Sequence, residues 1–173
     1  MDSGSSSFAA TALPHLDAAY NLARWLMGNG DEAEDVVQDA MVRALTYYPS
    51  FRGVNARAWL LQIVRNTAYS ALGAKKVVRL EPLAQSAADE GVELADPGDT
   101  PETALLRSRD VRALDRLLAR LPVELRETIV LRELEDMSYR DIAQVTEAPI
   151  GTVMSRLWRA RRLLAAEAGK AEP

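Results

Sequence analysis

Three shortages in this sequence narrow the range of functions it can have. The 173 residues include no cysteine, a single histidine, His15, and only 6% aromatic residues. Without cysteine the chain can form no disulfide bond, thiolate zinc site or thiol nucleophile, and one histidine cannot build a histidine-based metal cluster. The sequence also has no glycine-rich phosphate-binding loop. We therefore expect a protein that is not an enzyme and needs no cofactor.

Long apolar runs are missing as well. The uncharged stretches are too short or too polar to span a bilayer. The N-terminal residues MDSGSSSFAATALPH lack the basic segment and apolar core of a secretory signal peptide. We expect a soluble, cytoplasmic protein with no membrane insertion.

What the sequence does contain favours helices. Hydrophobic residues make up 48% of the chain, and good helix formers such as Ala, Leu, Arg and Glu are its dominant residue types. Residues 81–103 are acidic and rich in proline and small side chains, which is typical of a flexible linker. We predict an all-α fold of two small helical domains, residues 13–80 and 104–166. Residues 1–12 are expected to be a disordered N-terminus and residues 167–173 a C-terminal tail.

Charge is distributed in blocks of one sign, although the net charge is only −4. Residues 31–39 hold five acids and no base, residues 43–79 seven bases and no acid, and residues 81–102 seven acids and no base. Each block taken singly can be a solvated face. Alternation of whole blocks instead indicates surfaces of opposite sign that meet different partners.

The first domain has a clear amphipathic helix after the residues GNGD. Apolar side chains recur every three or four positions from Ala33 to Tyr48. Asp31 is the expected N-cap of this helix, with Glu34 in the capping-box position. An earlier helix is predicted over residues 13–27, and Asn55 is expected to cap a third helix that begins near Ala56.

The second domain ends in two short helices joined by a tight turn. Ser138 is the expected N-cap of the first, Pro149 stops it, and the following IGTVMSRLWRARRLL forms a basic second helix. This pattern predicts a helix-turn-helix, although a plain helical hairpin with a solvated arginine face has the same pattern. Hydroxyl and guanidinium groups at the start of such a helix can contact phosphates and base edges in a major groove. The residues expected on its exposed face are Thr152, Ser155, Arg156, Trp158 and Arg159.

Both domains resemble one family. The segment LPVELRETIVLRELEDMSYRDIAQVTEAPIGTVMSRLWRARRLL resembles region 4 of bacterial sigma factors of the extracytoplasmic-function (ECF) group, within the sigma-70 family. The segments DEAEDVVQDAMVRAL and FRGVNARAWLLQIVRNTAYSAL resemble region 2 of that group. Two further segments, PHLDAAYNLARWL and PIGTVMSRL, are similar to its general-stress branch. The resemblance implies a transcription initiation factor with three partners: core RNA polymerase, promoter DNA and a probable anti-sigma factor.

Residue roles follow from the resemblance. The helix with EDVVQDA corresponds to the one that docks on the β′ clamp helices, which implies polymerase binding by Asp35, Gln38 and Asp39, while region 4 would meet the β flap. Asp35 and Asp39 could instead stand near the start of a helix because the helix dipole favours negative charge there. The region 2 match implies −10 DNA contacts by Phe51, Arg52, Asn55, Arg57 and Asn66, and the region 4 match implies −35 contacts by the exposed residues of the basic helix. Phe51 and Trp59 could alternatively belong to the core.

Two positions depart from the family pattern. Glu147 stands where many relatives have glycine in the turn, and a positive φ there would cost a glutamate about 1 kcal/mol. Met154 stands where some relatives have a base, so −35 preference does not transfer. Two other functions remain open at this point: a stand-alone helix-turn-helix regulator, and a sigma-like decoy that sequesters an anti-sigma factor.

Overall fold

The computed structural model describes residues 3–78 and 100–171, and within those ranges the fold is all-α, as predicted. The helices form two units that follow one another along the chain. None of the described helices is both long and apolar enough to cross a membrane.

The first unit contains four helices and two short 3₁₀ turns. Their bounds are α1 Ser3–Ala12, a turn Leu13–His15, α2 Leu16–Met27, α3 Gly30–Tyr47, a turn Tyr48–Ser50 and α4 Ala56–Val78. Leu22 and Leu26 of α2 meet Leu60, Leu61 and Val64 of α4 in a core from which water is excluded. Small alanines on α3 let it pack closely against both helices.

The start of α3 differs from the sequence prediction. Asn29, not Asp31, is the N-cap: its side-chain oxygen accepts hydrogen bonds from the amides of Asp31 (2.8 Å) and Glu32 (3.2 Å). Gly28, with φ +76°, ends α2 in the left-handed conformation that glycine adopts without strain. Gly28 and Asn29 thus separate α2 from α3, and both acids fall in the first turn of α3, where the dipole favours negative charge.

The N-terminal segment also differs from expectation. Residues 1–12 were expected to be disordered, but α1 covers Ser3–Ala12 and Phe8 is buried. The Phe8 ring packs edge-on against Tyr48 with 5.4 Å between centroids. The Tyr48 hydroxyl also lies 2.8 Å from Ser7 Oγ. The Thr11 hydroxyl lies 3.2 Å from the same Tyr48 hydroxyl. One aromatic anchor and two hydroxyl contacts therefore hold a serine-rich segment whose composition alone favours disorder.

The second unit consists of α5 Pro101–Ala119, α6 Val123–Ile129, a π turn Val130–Leu134, α7 Tyr139–Thr146 and α8 Ile150–Ala171. Leu131, Met137, Ile142, Val145 and Leu157 form its core. The predicted linker 81–103 lies mostly outside the described residues, and its last residues already belong to α5. The predicted tail 167–173 continues α8 as far as Ala171.

The two units pack directly against each other. Helix α4 of the first unit contacts α7 of the second, and α2 contacts α6. The larger part of this interface joins the helix expected to meet the −10 element to the first helix of the helix-turn-helix.

Candidate nucleic-acid and partner interfaces

The acidic face of α3 points to solvent. Asp35, Gln38 and Asp39 are all exposed, one helical turn apart, so they can be contacted together. Asp39 pairs with Arg43 on the next turn at 3.2 Å, with both side chains about half exposed. Such a pair contributes little to stability and opens at low cost when a partner binds.

An apolar groove of about 720 Å³ runs beside this face, between α2 and α3. Its floor includes Val37 and Met41, which the sequence pattern placed in the buried stripe. Its exposed rim is formed by Leu13, Leu16 and Val42, which the sequence analysis missed. Val42 lies outside the main apolar stripe of α3. An apolar residue at this off-pattern position was the signal in the sequence that could have revealed the groove.

Phe51 belongs to an aromatic cluster at the start of α4. Its ring centroid lies 4.7 Å from that of Trp59 and 6.1 Å from that of Tyr48. Phe51 and Trp59 are both half-buried, so each is partly core and partly accessible. The neighbouring Arg52 is exposed. The loop therefore presents an aromatic edge and one guanidinium side by side.

Asn55 does two tasks at the N-terminus of α4. Its Oδ1 accepts from the Ala58 amide at 3.1 Å, which confirms that it caps the helix, and its backbone has φ +49°, a conformation that asparagine tolerates better than most residues. Its Nδ2 donates to Asp141 Oδ1 of the second unit at 2.8 Å. In this conformation the Asn55 amide is already engaged.

Arg57 also reaches across to the second unit. Its Nη2 donates to the Glu135 carboxylate at 2.9 Å and to the Glu135 carbonyl at 2.6 Å. Glu135 is the residue that directly follows the π turn and caps its end. Next along α4, Gln62 donates to Glu147 at 2.7 Å.

Arg65 forms the last of these contacts between the two units. Its pair with Glu127 is the most buried ion pair among the described residues. Arg65 Nε and Nη2 approach the two oxygens of Glu127 at 2.9 and 3.2 Å, in the fork geometry that suits a carboxylate. Glu127 is fully buried, and burial raises the pKa of its carboxyl while Arg65 opposes that rise. Burial also raises the pKa of Tyr69, whose ring lies 3.9 Å from the Arg65 guanidinium and whose hydroxyl has no hydrogen-bond partner among the described residues. Asn66 accepts a weaker bond from Arg65 at 3.3 Å.

The helix-turn-helix follows the predicted local pattern. Ser138 caps α7 by accepting from the Asp141 amide at 3.1 Å, and Val153, Leu157 and Ala160 form the buried stripe of α8. Glu147 ends α7 with φ +54° and ψ +39°, the left-handed conformation that the sequence suggested for this turn. The two helices are thereby joined by a short turn, as in a helix-turn-helix.

The residues predicted for −35 contacts are not equally accessible. Ser155, Trp158 and Arg159 are exposed, and Thr152 is half-buried. Trp158 carries Arg162 over its ring at 4.6 Å. Arg156, by contrast, is only 20% exposed and turns inward to within 4.0 Å of Glu127, with a buried Nη1 that has no hydrogen-bond partner in the described part of the chain.

The residues predicted to contact DNA therefore fall into two groups, according to whether they face solvent or the other unit. Arg52, Ser155, Trp158 and Arg159 face solvent, whereas Asn55, Arg57 and Arg156 face the contact between the two units. Sequence reasoning missed the partners that hold them there, namely Glu127, Glu135, Asp141 and Glu147. The burial of Glu127 could have been predicted from the sequence, because this acid directly precedes the residues TIVL in a helix that must be buried.

Comparison with known proteins gives consistent matches. The family model for sigma-70 region 2 matches residues 12–77, and that for sigma-70 region 4 matches residues 111–164. The sequence is 39% identical over 148 residues to the ECF RNA polymerase sigma-E factor of Haemophilus influenzae, covering 83% of this chain and 77% of the relative. It is 37% identical over 142 residues to the RNA polymerase sigma-H factor of Pseudomonas aeruginosa, covering 79% and 72%. Among solved structures, the sigma factor RpoE in complex with the anti-sigma factor NepR from Bartonella quintana superimposes with a TM-score of 0.74 at 30% identity, covering 96% of this chain and 99% of that one.

Proposed function

The chain belongs to the ECF group of the sigma-70 family of RNA polymerase sigma factors, and from this premise we propose which of its surfaces perform the family's function. As a sigma factor it is not an enzyme: it binds core RNA polymerase and directs promoter recognition and transcription initiation. Residues 13–80 act as region 2 and residues 104–166 as region 4. The observation that carries this assignment is the presence of both region matches, in order, in one chain.

Core polymerase docks on the exposed face of α3. Asp35, Gln38 and Asp39 supply the charged part of this surface, complementary to a basic helical partner such as the β′ clamp helices. The adjacent apolar groove supplies the area that a stable interface needs. Region 4 provides the second attachment, to the β flap.

The −10 element meets the loop before α4 and the basic face of α4. Phe51 stacks on an unpaired base, since its half-exposed ring lies beside Trp59 and needs little rearrangement. Arg52, Asn55, Arg57 and Asn66 contribute phosphate and base-edge contacts. In the conformation described here Asn55 and Arg57 are engaged by region 4, so these contacts require the two regions to separate.

The −35 element is read by α8. Thr152, Ser155, Trp158 and Arg159 lie on its outward side near the N-terminus, where a recognition helix contacts base edges. Arg156 joins them when it is released from the neighbourhood of Glu127. Arg159 is the residue best placed for a bidentate contact with guanine.

An anti-sigma factor holds the protein inactive in unstressed cells. The solved neighbour is a sigma factor bound to an anti-sigma factor. In this chain the groove between α2 and α3 offers a site for the apolar side of a partner helix, adjacent to the surface that core polymerase uses. The anti-sigma factor and core polymerase then compete for one surface in the cytoplasm. This competition controls the transcription of a set of stress-response genes.

Run-off transcription tests the proposed function. Purified protein is combined with core polymerase and a library of genomic fragments, and the transcripts are sequenced. Discrete new start sites that share two spaced sequence elements are expected. Repression without core polymerase would instead indicate a stand-alone regulator, and anti-sigma binding without any transcription would indicate a decoy.

A further inference from the structure

Four aromatic rings of the first unit form a cluster beside the loop that precedes α4. They belong to Phe8, Tyr48, Phe51 and Trp59, and they include both phenylalanines of the chain. The Phe51 ring has two neighbours, with Trp59 4.7 Å and Tyr48 6.1 Å away between centroids. Tyr48 in turn meets Phe8 of α1 edge-on at 5.4 Å. The ring proposed to stack on a −10 base is thus linked to α1 through one tyrosine.

Helix α1 holds Tyr48 at two points. Phe8 packs against the ring, and the hydroxyl groups of Ser7 and Thr11 lie 2.8 and 3.2 Å from the Tyr48 hydroxyl. Ser7 and Thr11 are about one turn apart, so both reach the same atom. The Thr11 hydroxyl also donates to the Ser7 carbonyl at 2.9 Å. All three hydroxyl groups are therefore satisfied when Ser7 donates to Tyr48 and Tyr48 donates to Thr11.

Tyr48 also fixes the backbone from which the Phe51 side chain extends. The Phe51 amide donates to the Tyr48 carbonyl at 2.9 Å and closes the 3₁₀ turn Tyr48–Ser50. Tyr48 therefore holds Phe51 through its ring and through its carbonyl. A displacement of Tyr48 displaces Phe51 as well.

Support of this kind matters for a ring that must bind DNA. Phe51 is half-buried, so its neighbours limit its rotation while part of the ring stays accessible. A ring without such support would have to be ordered when DNA binds, and the lost side-chain freedom would subtract from the affinity.

We propose that α1 is a positioning element for promoter DNA: it fixes Tyr48, and Tyr48 holds the Phe51 ring where an unpaired −10 base stacks on it. This inference rests on the proposed −10 role of Phe51. Ser7, Phe8 and Thr11 act through Tyr48, so they are positioning residues and not DNA contacts.

The character of α1 agrees with this role. Phe8 and Ala12 are buried, whereas Ser7 and Ala10 are exposed. An isolated helix of ten residues is marginal in water, so α1 depends on its contacts with the rest of the unit. Because α2, α3 and α4 build the main core, detachment of α1 releases Tyr48 and leaves that core closed.

Abasic substitution of the −10 strand tests the inference on the full-length chain bound to core polymerase. Labelled non-template −10 strands are taken from a promoter found by run-off transcription, and one abasic site is moved through each position. The position at which Phe51→Ala no longer responds to loss of the base is the stacking position. There, Phe8→Ala should weaken binding of the intact strand by about tenfold and binding of the abasic strand by less than about twofold. A defect that is only structural would weaken both strands equally.

Tyr48→Phe is a milder variant that retains all four rings. It removes only the hydroxyl that α1 holds, so it should weaken binding of the intact strand by about threefold and leave binding of the abasic strand unchanged. Ser7→Ala with Thr11→Ala removes the other side of the same contacts and should have an equal effect. Tyr47→Phe is the matched control, because this neighbouring tyrosine is 56% exposed, and it should bind both strands as the native protein does.

The outcomes separate this inference from the proposed function. If Phe51→Ala responds to the loss of every base as the native protein does, the proposed −10 role of Phe51 is wrong, and the inference is wrong with it. If Phe51→Ala identifies a stacking position but Phe8→Ala and Tyr48→Phe affect both strands equally, the −10 role stands and the inference is overturned. Selective loss on the intact strand supports the inference. Circular dichroism checks that each variant is folded, and if Phe8→Ala is not, the hydroxyl variants decide alone.

Discussion

The guanidinium of Arg65 in region 2 forks onto the carboxylate of Glu127 in region 4, with distances of 2.9 and 3.2 Å. The two residues are 62 positions apart along the chain, yet they meet at a carboxylate that is completely buried. No other carboxylate among the described residues is so fully removed from water. This ion pair therefore connects the stability of the fold with the relative placement of the two regions.

Loss of Glu127 should destabilise the protein strongly. Glu127→Ala leaves Arg65 and Arg156 next to each other without a counter-ion, and removal of one partner of a buried pair costs about 3 kcal/mol. Urea unfolding followed by circular dichroism measures the change in the free energy of unfolding. Glu133→Ala is the control, because Glu133 and its partner Arg161 are both half exposed, and it should change stability by less than about 1 kcal/mol. Equal effects of the two substitutions would mean that the buried pair is not important for stability.

The turn of the helix-turn-helix gives a second prediction. Glu147 has a left-handed backbone, which costs a residue with a Cβ about 1 kcal/mol relative to glycine. Glu147→Gly and Glu147→Ala both lose the contact with Gln62, so they differ only in the Cβ. The glycine variant should be more stable than the alanine variant by about 1 kcal/mol in urea unfolding. Indistinguishable midpoints would show that this backbone carries no strain.

These two residues also show where sequence reasoning succeeds and where it stops. A positive φ at Glu147 could be named in advance as costly, because the turn is local and a short segment contains the information. The caps at Asn55 and Ser138 were found for the same reason. Asn29 was missed because Asn29 and Asp31 are both good N-caps two residues apart, and the choice depends on how Gly28 ends α2.

The all-α fold and the family were predicted correctly, since helical periodicity and the two region motifs extend over most of the chain. The contact between the regions was not predicted. Its pairs join residues 62 to 86 positions apart, and neither Gln62 nor Glu135 has a local pattern that reveals its partner. Helix α1 was missed because its anchor, the packing of Phe8 on Tyr48, is also a long-range contact.

Core polymerase binding should depend on the acidic face of α3. Asp35→Arg with Asp39→Arg reverses two exposed charges, and the second change also places a like charge beside Arg43. We expect a large loss of affinity for core polymerase with an unchanged helical circular dichroism spectrum. The control reverses two exposed acids of region 4, Asp110→Arg with Glu124→Arg. Normal core affinity in the α3 variant would refute the docking assignment.

The recognition helix should contain one arginine that reads a base. Arg159 is exposed on α8, so Arg159→Ala should cost about 1–3 kcal/mol of binding to the preferred −35 sequence and relax the preference at one position. Binding by the core-bound protein to a set of −35 variants measures both effects. A uniform loss over all sequences would identify Arg159 as a phosphate contact. Arg156→Ala provides the comparison, because this arginine must first leave the neighbourhood of Glu127.

The inhibitory partner should compete with core polymerase for the groove between α2 and α3. We expect a dedicated protein that forms a 1:1 complex and buries Val37, Met41 and the apolar rim of the groove. Val42→Lys places a charge on that rim, where Val42 is 65% exposed, and should weaken the complex by roughly tenfold or more because the lysine must be desolvated. Val54→Lys is the matched control, since Val54 is 75% exposed and lies outside the groove. Partners captured from unstressed cells are purified, and their binding to each variant is measured with and without core polymerase. A stable ternary complex of sigma factor, inhibitor and core polymerase would exclude competition, because one groove cannot hold both ligands.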